Sequence, residues 1–352
     1  MDFEIDTMAP VLVTGATGYV AGHIIKRLLE AGVTVHAAVR DPSKEEKLKY
    51  LNAMAANNPG EIKYFRSDLL NEGSYAEAMQ GCSIVFHTAS PFTVDVKDPQ
   101  KELVDPAVLG TKNVLNEVNR NESVKRVVLT SSCVSIYGDN VDCQVAPGGV
   151  LTESDWNTTS SLSHQPYSFS KTQAERAAWE AKKMHPWGLV VINPSLVLGP
   201  GINPNATSES FSLVKQLGDG SMKSGAPRYG MGAVDVRDVA YAQVAAAYTP
   251  EASGRYIISG HESDLYEMAQ TLLPKYGDQY PLPRKPMSKW LFWLVAPFVN
   301  KAMTRKIVSL NVNVPWKADN SKSVRELGVS YRPLEETMND MFQQLIDNRV
   351  FE

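Results

Sequence analysis

Six short apolar runs between Val11 and Ser195 constrain the fold of this chain most strongly, because each is followed by a helical pattern or by a loop that leads into one. They are "VLVTG", "VTVHAAVR", "IKYFRSDL", "SIVFHTAS", "KRVVLTSS" and "LVVINPS". Runs of Val, Ile and Leu without polar alternation are typical of strands that are buried on both faces. We therefore predict an α/β fold with a doubly wound parallel sheet, in which ligands bind at the carboxyl ends of the strands.

The first run leads into a glycine-rich turn, "TGATGYVAGH". Its glycines are Gly15, Gly18 and Gly22, and Ala21 stands where the usual dinucleotide fingerprint has its third glycine. A phosphate-binding turn needs open backbone dihedrals, no side chain against the pyrophosphate and a helix N-terminus aimed at the anion. The third position only has to let the helix approach the strand, and the general motif accepts Ala there. The turn therefore predicts a bound dinucleotide.

The end of the second run distinguishes NAD from NADP. About twenty residues beyond the turn, an NAD enzyme offers an acid to the ribose 2′-hydroxyl, whereas an NADP enzyme offers Arg to the 2′-phosphate. Here Arg40 ends the run and Lys44 follows one helical turn later, so both are candidate phosphate ligands. Asp41 lies one residue late for the acid role and is expected in a turn before Pro42. We therefore predict NADP (NADPH) as the cofactor.

The pattern of strands and helices changes after Pro194, where a stretch rich in Gly, Pro and Asn begins. A further strand and helix, "GAVDVRDVAYAQVAAAY", and a short strand, "GRYIISG", are expected to return to the sheet. We therefore predict a nucleotide-binding domain at 8–193 plus about 233–260, and a smaller, interleaved substrate lobe at about 194–232 and 261–352.

Tyr167 and Lys171 stand four residues apart at the start of a helical stretch, so their side chains share one face. A close cation favours the ionised form of a phenol and would make Tyr167 a proton donor to a carbonyl at neutral pH. The run "KRVVLTSS" ends in Thr130, Ser131 and Ser132, at the sheet edge where a ligand would lie. A hydroxyl there can hold a substrate carbonyl.

Seven segments resemble, in order and spacing, the extended branch of the short-chain dehydrogenase/reductase superfamily, and specifically its dihydroflavonol reductase-like group, which includes cinnamoyl-CoA reductases and yeast-type aldehyde or ketone reductases. They are "VTGATGYVAGH", "VRDPSK", "SDLLNEGSYAEAMQGCSIVFHTASPF", "VLTSS", "YSFSKTQAERAAW", "INPSLVLGP" and "DVRDVA". The resemblance implies a Rossmann-type, NAD(P)-binding fold. It also implies that Ser132 orients the carbonyl, that Tyr167 donates the proton, and that Lys171 lowers the pKa of that tyrosine and binds the ribose hydroxyls.

The resemblance further implies contacts to the cofactor and the substrate. Beyond Gly15, Gly18, Arg40 and Lys44, the expected cofactor contacts are Thr17, Tyr19 and Val20 in the turn, Asp68 and Leu69 at the adenine, Thr88, Ala89 and Ser90 beneath the ribose and pyrophosphate, Pro194 and Val197 at the nicotinamide, and Ser208 at the pyrophosphate. The expected substrate contacts are Phe92, Cys133, Val134 and Tyr137. This lining predicts a fairly apolar carbonyl compound.

Three readings of the function follow: an NADPH-dependent aldehyde or ketone reductase, a nucleotide-sugar epimerase or dehydratase that keeps its cofactor bound, and a non-catalytic NADP-binding protein on the same fold. Pro106 stands where sugar epimerases usually have Asn, and all three catalytic residues are present, which favours the reductase. Tyr137 and, approximately, Gly232 stand where plant flavonoid reductases have Asn and Gln, which argues against flavonoid specificity.

Composition and charge bear on partners and location. The net charge is −4, so there is no basic field for nucleic acid. The three cysteines show no metal-ligand spacing with the six histidines, so we expect no metal and a reducing compartment. The N-terminus lacks a basic start followed by an apolar run, which predicts a cytoplasmic protein. We expect a monomer or a homodimer that acts on a small carbonyl compound.

One segment, Lys289 to Met303, is apolar enough to raise the question of membrane contact. Pro297 interrupts it and it is too short to span a membrane, so no transmembrane segment is predicted. A packed helix or a lid over the substrate is preferred to contact with a membrane surface.

Overall fold

The computed structural model describes residues 3–90, 96–203 and 208–352. Within these ranges the strands are β1 Val11–Thr14, β2 Thr34–Val39, β3 Glu61–Arg66, β4 Ile84–His87, β5 Arg126–Thr130, β6 Gly188–Pro194, β7 Leu196–Leu198, β8 Ala226–Pro227, β9 Gly230–Asp235, β10 Gly254–Ile258, β11 His261–Asp264 and β12 Pro286–Met287.

The α-helices within the same ranges are α1 Tyr19–Glu30, α2 Glu45–Ala56, α3 Ala76–Met79, α4 Asp105–Arg120, α5 Val141–Val145, α6 Pro166–Lys182, α7 Glu209–Gly218, α8 Val236–Tyr248, α9 Leu265–Tyr276, α10 Lys289–Val299, α11 Arg305–Asn311, α12 Ser321–Leu327 and α13 Leu334–Asp347. A π-helical turn at Gln100–Val104 precedes α4, and short 3-10 turns lie at Cys133–Ser135 and Pro147–Gly149.

Seven parallel strands form the central sheet in the order β10-β6-β5-β4-β1-β2-β3. Apolar side chains of α1 and α8, among them Ile24 and Val239, pack on one face of the sheet. Side chains of α4 and α6, among them Leu115 and Ala178, pack on the other. The predicted doubly wound α/β fold is therefore confirmed.

The strand order reverses between β4 and β1, since β1 pairs with β2 on one side and with β4 on the other. Such a switch point leaves a crevice at the carboxyl ends of the two strands, where ligands of these sheets bind. The loop after β1 and the loop after β4 both open into this crevice, so a ligand site is expected there.

The later part of the chain forms a second core around β9, β7, α7, α9 and α13. As expected, β10 joins the central sheet, beside β6. The expectation that β9 would also join it is wrong, because β9 pairs with β7 and β11 in a separate three-stranded sheet. The edge of β6 that β9 would need is occupied by β10. The predicted domain boundaries stay a prediction.

No helix in the described ranges is long and apolar enough to cross a bilayer.

Candidate active site

The glycine turn between β1 and α1 leaves the start of α1 open. Gly15 has φ of +63°, and a Cβ at this position would lie 3.0 Å from Ala89 Cα, so glycine is required on both counts. Gly18 caps α1 without a side-chain hydrogen bond, and its N–H donates to Gly15 O at 2.8 Å. The first N–H groups of a helix lack internal partners and attract anions. The turn therefore fits the pyrophosphate of a dinucleotide.

A second helix begins beside this turn. The Tyr19 hydroxyl donates to Gly199 O at 2.6 Å, and its ring packs edge-on against Phe211 of α7 with 5.3 Å between centroids. Ser208 caps α7, and within the described ranges its buried Oγ has no hydrogen-bond partner. A buried hydroxyl without a partner at the start of a helix is suited to an anionic ligand, so the expected pyrophosphate contact of Ser208 fits this position.

Thr14, which sequence analysis did not single out, joins the ends of β1 and β4. Its Oγ1 accepts hydrogen bonds from the N–H groups of Thr88 and Ala89 at 3.1 Å and lies 2.9 Å from His87 Nδ1. The Thr88 hydroxyl donates to Thr14 O at 2.6 Å. Burial, with the Lys171 charge adding to it, lowers the pKa of His87 to about 4, so the imidazole is neutral at neutral pH. These bonds hold the loop after β4 against the glycine turn.

Three cations surround the end of β2. Arg40 is exposed, and within the described part of the chain its guanidinium has no hydrogen-bond or ion-pair partner. Lys44 lies 3.9 Å from Asp41, and Arg66, at the end of β3, lies 3.3 Å from the same carboxylate. The sequence did not indicate Arg66, because it reaches this position only through the pairing of Val39 with Arg66 in the sheet. The three cations together are suited to bind a 2′-phosphate.

Asp68 and Leu69 follow β3 at the same edge. The Asp68 carboxylate accepts the N–H of Leu70 at 2.9 Å, and its side chain is exposed. Leu69 packs against Gly110 of α4 so closely that a Cβ there would overlap it, and Leu69 O accepts from Asn113 Nδ2 at 3.0 Å. The two residues therefore lie in a fixed loop beside the cations.

Lys171 is bound to the loop after β4. Its Nζ donates to Ser90 Oγ at 2.7 Å and lies 5.6 Å from the centroid of the Tyr167 ring. Burial lowers the pKa of Lys171 to about 8. The side chain also borders a cavity between β4, β5, α4 and α6, whose lining residues are His87, Ala89, Ser90, Ala107, Thr111, Leu129, Thr130, Ser131, Lys171, Ala174 and Glu175.

The pKa of Tyr167 is raised, whereas the sequence led us to expect a lowered one. The ring is 46 % exposed, yet desolvation by the surrounding protein, together with the nearby Glu209 carboxylate, raises the pKa of Tyr167 to about 12. The expectation that Lys171 lowers this pKa is not met in this conformation. The reason is geometric, because the ammonium faces the tyrosine ring and donates to Ser90.

Ser132 follows β5 and caps the 3-10 turn at Cys133–Ser135, with its Oγ accepting the Val134 N–H at 3.3 Å. Its backbone oxygen accepts from Ser135 Oγ at 2.7 Å and from Asn193 Nδ2 at 3.1 Å. The 3-10 turn packs against α6, the helix that carries Tyr167 and Lys171. The fold therefore brings the three candidate catalytic residues to one region at the carboxyl ends of β4 and β5.

The residues expected at the nicotinamide and the substrate differ in burial and in position. Pro194 ends β6 and Val197 lies in β7. Cys133 is buried, with Sγ 3.1 Å from Asn193 O, while Val134 is half-buried. Phe92 lies outside the described residues.

Tyr137 packs against Trp316, a residue that sequence analysis did not predict for this region. The ring centroids are 5.9 Å apart, and Trp316 is almost completely buried. The Trp316 ring lies over Gly232 of β9 so closely that a Cβ on this glycine would clash with it. The two departures from the flavonoid reductase pattern, Tyr137 and Gly232, therefore both contact one aromatic side chain. No local pattern in the sequence indicates this contact.

Comparison with known proteins gives one family. Residues 11–259 match the sequence profile of the NAD dependent epimerase/dehydratase family. A cinnamoyl-CoA reductase of Medicago truncatula is 34 % identical over 96 % of this chain and 96 % of its own length. A dihydroflavonol 4-reductase of Gerbera hybrida is 33 % identical over 80 % of this chain and 76 % of its own length.

A solved structure is similar to this chain over nearly its whole length. The crystal structure of Gre2 from Candida albicans, in complex with NADPH, superposes with a TM-score of 0.76 at 28 % identity. The match covers 96 % of this chain and 99 % of that one. The likeness therefore extends over almost the whole chain.

Proposed function

Because this chain belongs to the NAD dependent epimerase/dehydratase family, we propose that it is an NADPH-dependent oxidoreductase that reduces a carbonyl group of a small molecule to an alcohol. The observation that carries this proposal is the packing of the 3-10 turn that follows Ser132 against α6, the helix that carries Tyr167 and Lys171. The relatives described above are named as reductases, which favours reduction over epimerisation.

The cofactor would be held along the sheet edge. The Gly15 to Gly18 turn and the open N-terminus of α1 bind the pyrophosphate, and Ser208 adds a hydroxyl from α7. Arg40, with Lys44 and Arg66 around it, binds the 2′-phosphate of the adenosine ribose. Because Arg40 is the cation of the three without a partner in the described ranges, it is the main determinant of selectivity for NADPH.

Residues of the chain position and protonate the substrate. NADPH, when bound, supplies a hydride from its nicotinamide ring. Ser132 donates a hydrogen bond to the carbonyl oxygen, and Tyr167 transfers its hydroxyl proton to that oxygen as the alcohol forms. The phenol is protonated at neutral pH, so it carries the proton that it donates. Lys171 binds the ribose hydroxyls of the nicotinamide half.

The proposed substrate is an apolar, aromatic-sized carbonyl compound. Tyr137 and Trp316 form an aromatic pair next to the 3-10 turn that follows Ser132. Aromatic faces favour apolar and aromatic ligands over highly hydrated sugars. Tyr137, which stands where flavonoid reductases have an amide side chain, supports a carbonyl substrate other than a flavonoid.

Tyr167→Phe tests the mechanism. We expect turnover of NADPH to fall at least about 100-fold, since general acid catalysis contributes about 10²–10⁴, while the dissociation constant of NADPH stays unchanged. Tyr266→Phe, on a half-buried tyrosine of α9, is the matched control and should leave both unchanged. Undiminished turnover in Tyr167→Phe would reject the mechanism.

The substrate class is tested by NADPH oxidation with aldehydes, β-keto esters, dihydroflavonols and acyl-CoA thioesters. We expect turnover with aromatic or branched aldehydes or ketones. Inactivity with all four classes, together with cofactor that stays bound through purification, would favour the epimerase or the non-catalytic NADP-binding protein instead.

A further inference from the structure

Helix α10 presents a row of large apolar side chains to solvent. Trp290 is 71 % exposed and Phe298 is 82 % exposed, and Leu291 and Leu294 between them are also exposed. Their spacing of three and four residues places these four side chains on one side of the helix. We call this row the outer face of α10. Apolar patches of this kind on a folded protein mark binding surfaces.

The opposite side of α10 is already packed. Phe292, Trp293 and Ala296 contact Val308 and Val312 at the end of α11 in a small core of their own. The burial that the helix needs for its own stability is therefore provided by its inner side. The outer face takes no part in this small core, so its exposed Trp and Phe need another explanation.

The charge of the surrounding segment is one-sided. Residues 279–318, all of which are described, contain seven Lys and Arg residues and no Asp or Glu, in a chain whose net charge is −4. The seven are Arg284, Lys285, Lys289, Lys301, Arg305, Lys306 and Lys317. Three precede the outer face and three follow it directly, so cations lie at both ends of the apolar row.

Three of these cations are engaged within the protein and others are free to bind elsewhere. Arg284 pairs with Asp278 at 3.8 Å and donates to Gly277 O at 2.6 Å. Lys289 Nζ donates to Ser309 O at 2.8 Å, and the Arg305 guanidinium lies 4.6 Å from the centre of the Trp293 ring. Lys301 and Lys306 are exposed and, among the described residues, form no ion pair. Their charge is therefore available to an anionic partner.

We propose that the outer face of α10, with the cations at its two ends, docks on the surface of an anionic lipid bilayer. A helix that combines exposed Trp, Phe and Leu with flanking Lys and Arg lies in the interface between headgroups and acyl chains. Trp290, at one end of the row, suits the headgroup level, where amphipathic rings are enriched. With 11 residues, α10 is about 16 Å long, so it lies on the bilayer and does not cross it.

Charge favours a bilayer over a second copy of this chain. An isologous dimer through the outer face would bring the same patch of two copies together, and with it the cations of both. Like charges facing each other across an interface oppose association. Anionic headgroups meet the same cations with opposite charge.

Contacts through α11 link the inner side of α10 to the candidate active site. Asn311, the last residue of α11, donates from Nδ2 to Asp139 Oδ1 at 2.7 Å. The same oxygen accepts from Gln165 Nε2 at 3.2 Å, and Gln165 immediately precedes the helix that carries Tyr167. Docking through α10 would therefore act on a helix that is linked to the candidate active site through α11.

The test is co-sedimentation of the full chain with vesicles of phosphatidylcholine containing phosphatidylserine, and with vesicles of phosphatidylcholine alone. We expect binding to the anionic vesicles at least about tenfold tighter, and weakened by salt. Trp290→Ser combined with Phe298→Ser should abolish it. Lys301→Gln combined with Lys306→Gln should weaken it about 25-fold, because each lysine near an anionic surface contributes a factor of about five.

Matched controls separate this surface from general effects. Val145→Ser with Met184→Ser removes two apolar side chains that are 84 % and 88 % exposed elsewhere, and Lys215→Gln with Lys223→Gln removes two exposed lysines elsewhere. Both pairs should bind vesicles like the parent chain, and circular dichroism should show all variants folded. Absence of binding, or binding that the Trp290 and Phe298 variant retains, would overturn the proposal. So would a dimer in analytical ultracentrifugation that this variant dissociates, because the outer face would then be covered by a second copy.

Discussion

Glu175 and Arg255 form an ion pair with 2.6 Å between Oε1 and Nε, and both side chains are almost completely buried. The carboxylate also accepts from Ser135 Oγ at 2.5 Å and from Asn193 Nδ2 at 2.9 Å. Ser135 and Asn193 are the two residues that donate to the backbone oxygen of Ser132. The ion pair therefore lies behind the candidate catalytic serine and is linked to it through two side chains.

Glu175→Gln should destabilise the fold and displace Ser132. The change leaves the Arg255 guanidinium buried without its counter-charge, and breaking a buried pair in this way costs about 3–5 kcal/mol. Urea unfolding measures that loss. A positioning role predicts in addition that kcat falls about 100-fold, as a displacement of about 1 Å can produce, while the dissociation constant of NADPH is kept.

Two further variants control this prediction. Glu180→Gln, on the same helix, removes an exposed pair with Lys183 and should change stability by less than about 0.5 kcal/mol. Glu175→Gln combined with Arg255→Met removes both charges and should regain part of the stability. If kcat and NADPH binding fell together in Glu175→Gln, general loss of structure would explain the result and positioning would not.

Arg40→Ala should weaken binding of NADPH about 10- to 100-fold and leave binding of NADH unchanged. A hydrogen bond to a charged group contributes about 1.5–3 kcal/mol, and only NADPH carries the 2′-phosphate. Arg66→Ala should show a smaller loss, because Arg66 is shared with Asp41. Calorimetric titration with both cofactors measures the difference. Lys47→Ala, an exposed lysine of α2, is the control of equal charge, and equal losses for NADH and NADPH in Arg40→Ala would contradict the assignment.

Because Lys171 is buried, we expect the stability of the protein to depend on pH. Burial lowers its pKa in the folded chain to about 8 from the ordinary value of 10.5. Between these two values the unfolded chain binds more protons, so the free energy of unfolding rises as pH increases through this range. Lys171→Met removes this contribution, and the variant should be more stable than the parent at pH 7 although it is inactive. Thermal unfolding of both proteins at neutral and alkaline pH measures this difference in stability. A Lys171→Met variant that is less stable than the parent at pH 7 would show that the Ser90 hydrogen bond outweighs the burial of the charge.

The fold and the glycine turn could be predicted because their signals are local. Buried strands show as unbroken runs of Val, Ile and Leu, and the turn shows as glycines between a strand and a helix. The sheet to which a strand belongs is not a local property, which is why the pairing of β9 with β7 was missed. The strand pattern of β9 is the same whichever partner it has.

The contacts of the site residues also depend on distant parts of the chain. The pKa of Tyr167 could not be predicted from its spacing to Lys171, because the lysine is directed by Ser90, 81 residues away. Arg66 meets Asp41 only through the register of two strands. Trp316 reaches Tyr137 from the far end of the sequence. Such neighbours follow from tertiary packing and leave no periodic signal.

Gly232→Ala should destabilise the protein through the Trp316 ring, because the added Cβ would overlap the ring and lie 2.6 Å from Ser259 Oγ. Overpacking of this kind costs about 1–3 kcal/mol. The cost of Gly232→Ala should be much smaller in a Trp316→Leu background than in the parent, since the smaller side chain frees the space over β9. Trp316→Leu alone is the reference, because removing a buried Trp lowers stability by itself. The control is Gly188→Ala at the start of β6, where the nearest atom to an added Cβ is 3.6 Å away; it should raise stability by about 0.5 kcal/mol, the usual gain of Ala over Gly in a strand. Urea unfolding of the parent chain and of these variants measures the free energies of unfolding. An equal cost of Gly232→Ala in both backgrounds would mean that Ser259, and not the ring, sets the limit at this glycine.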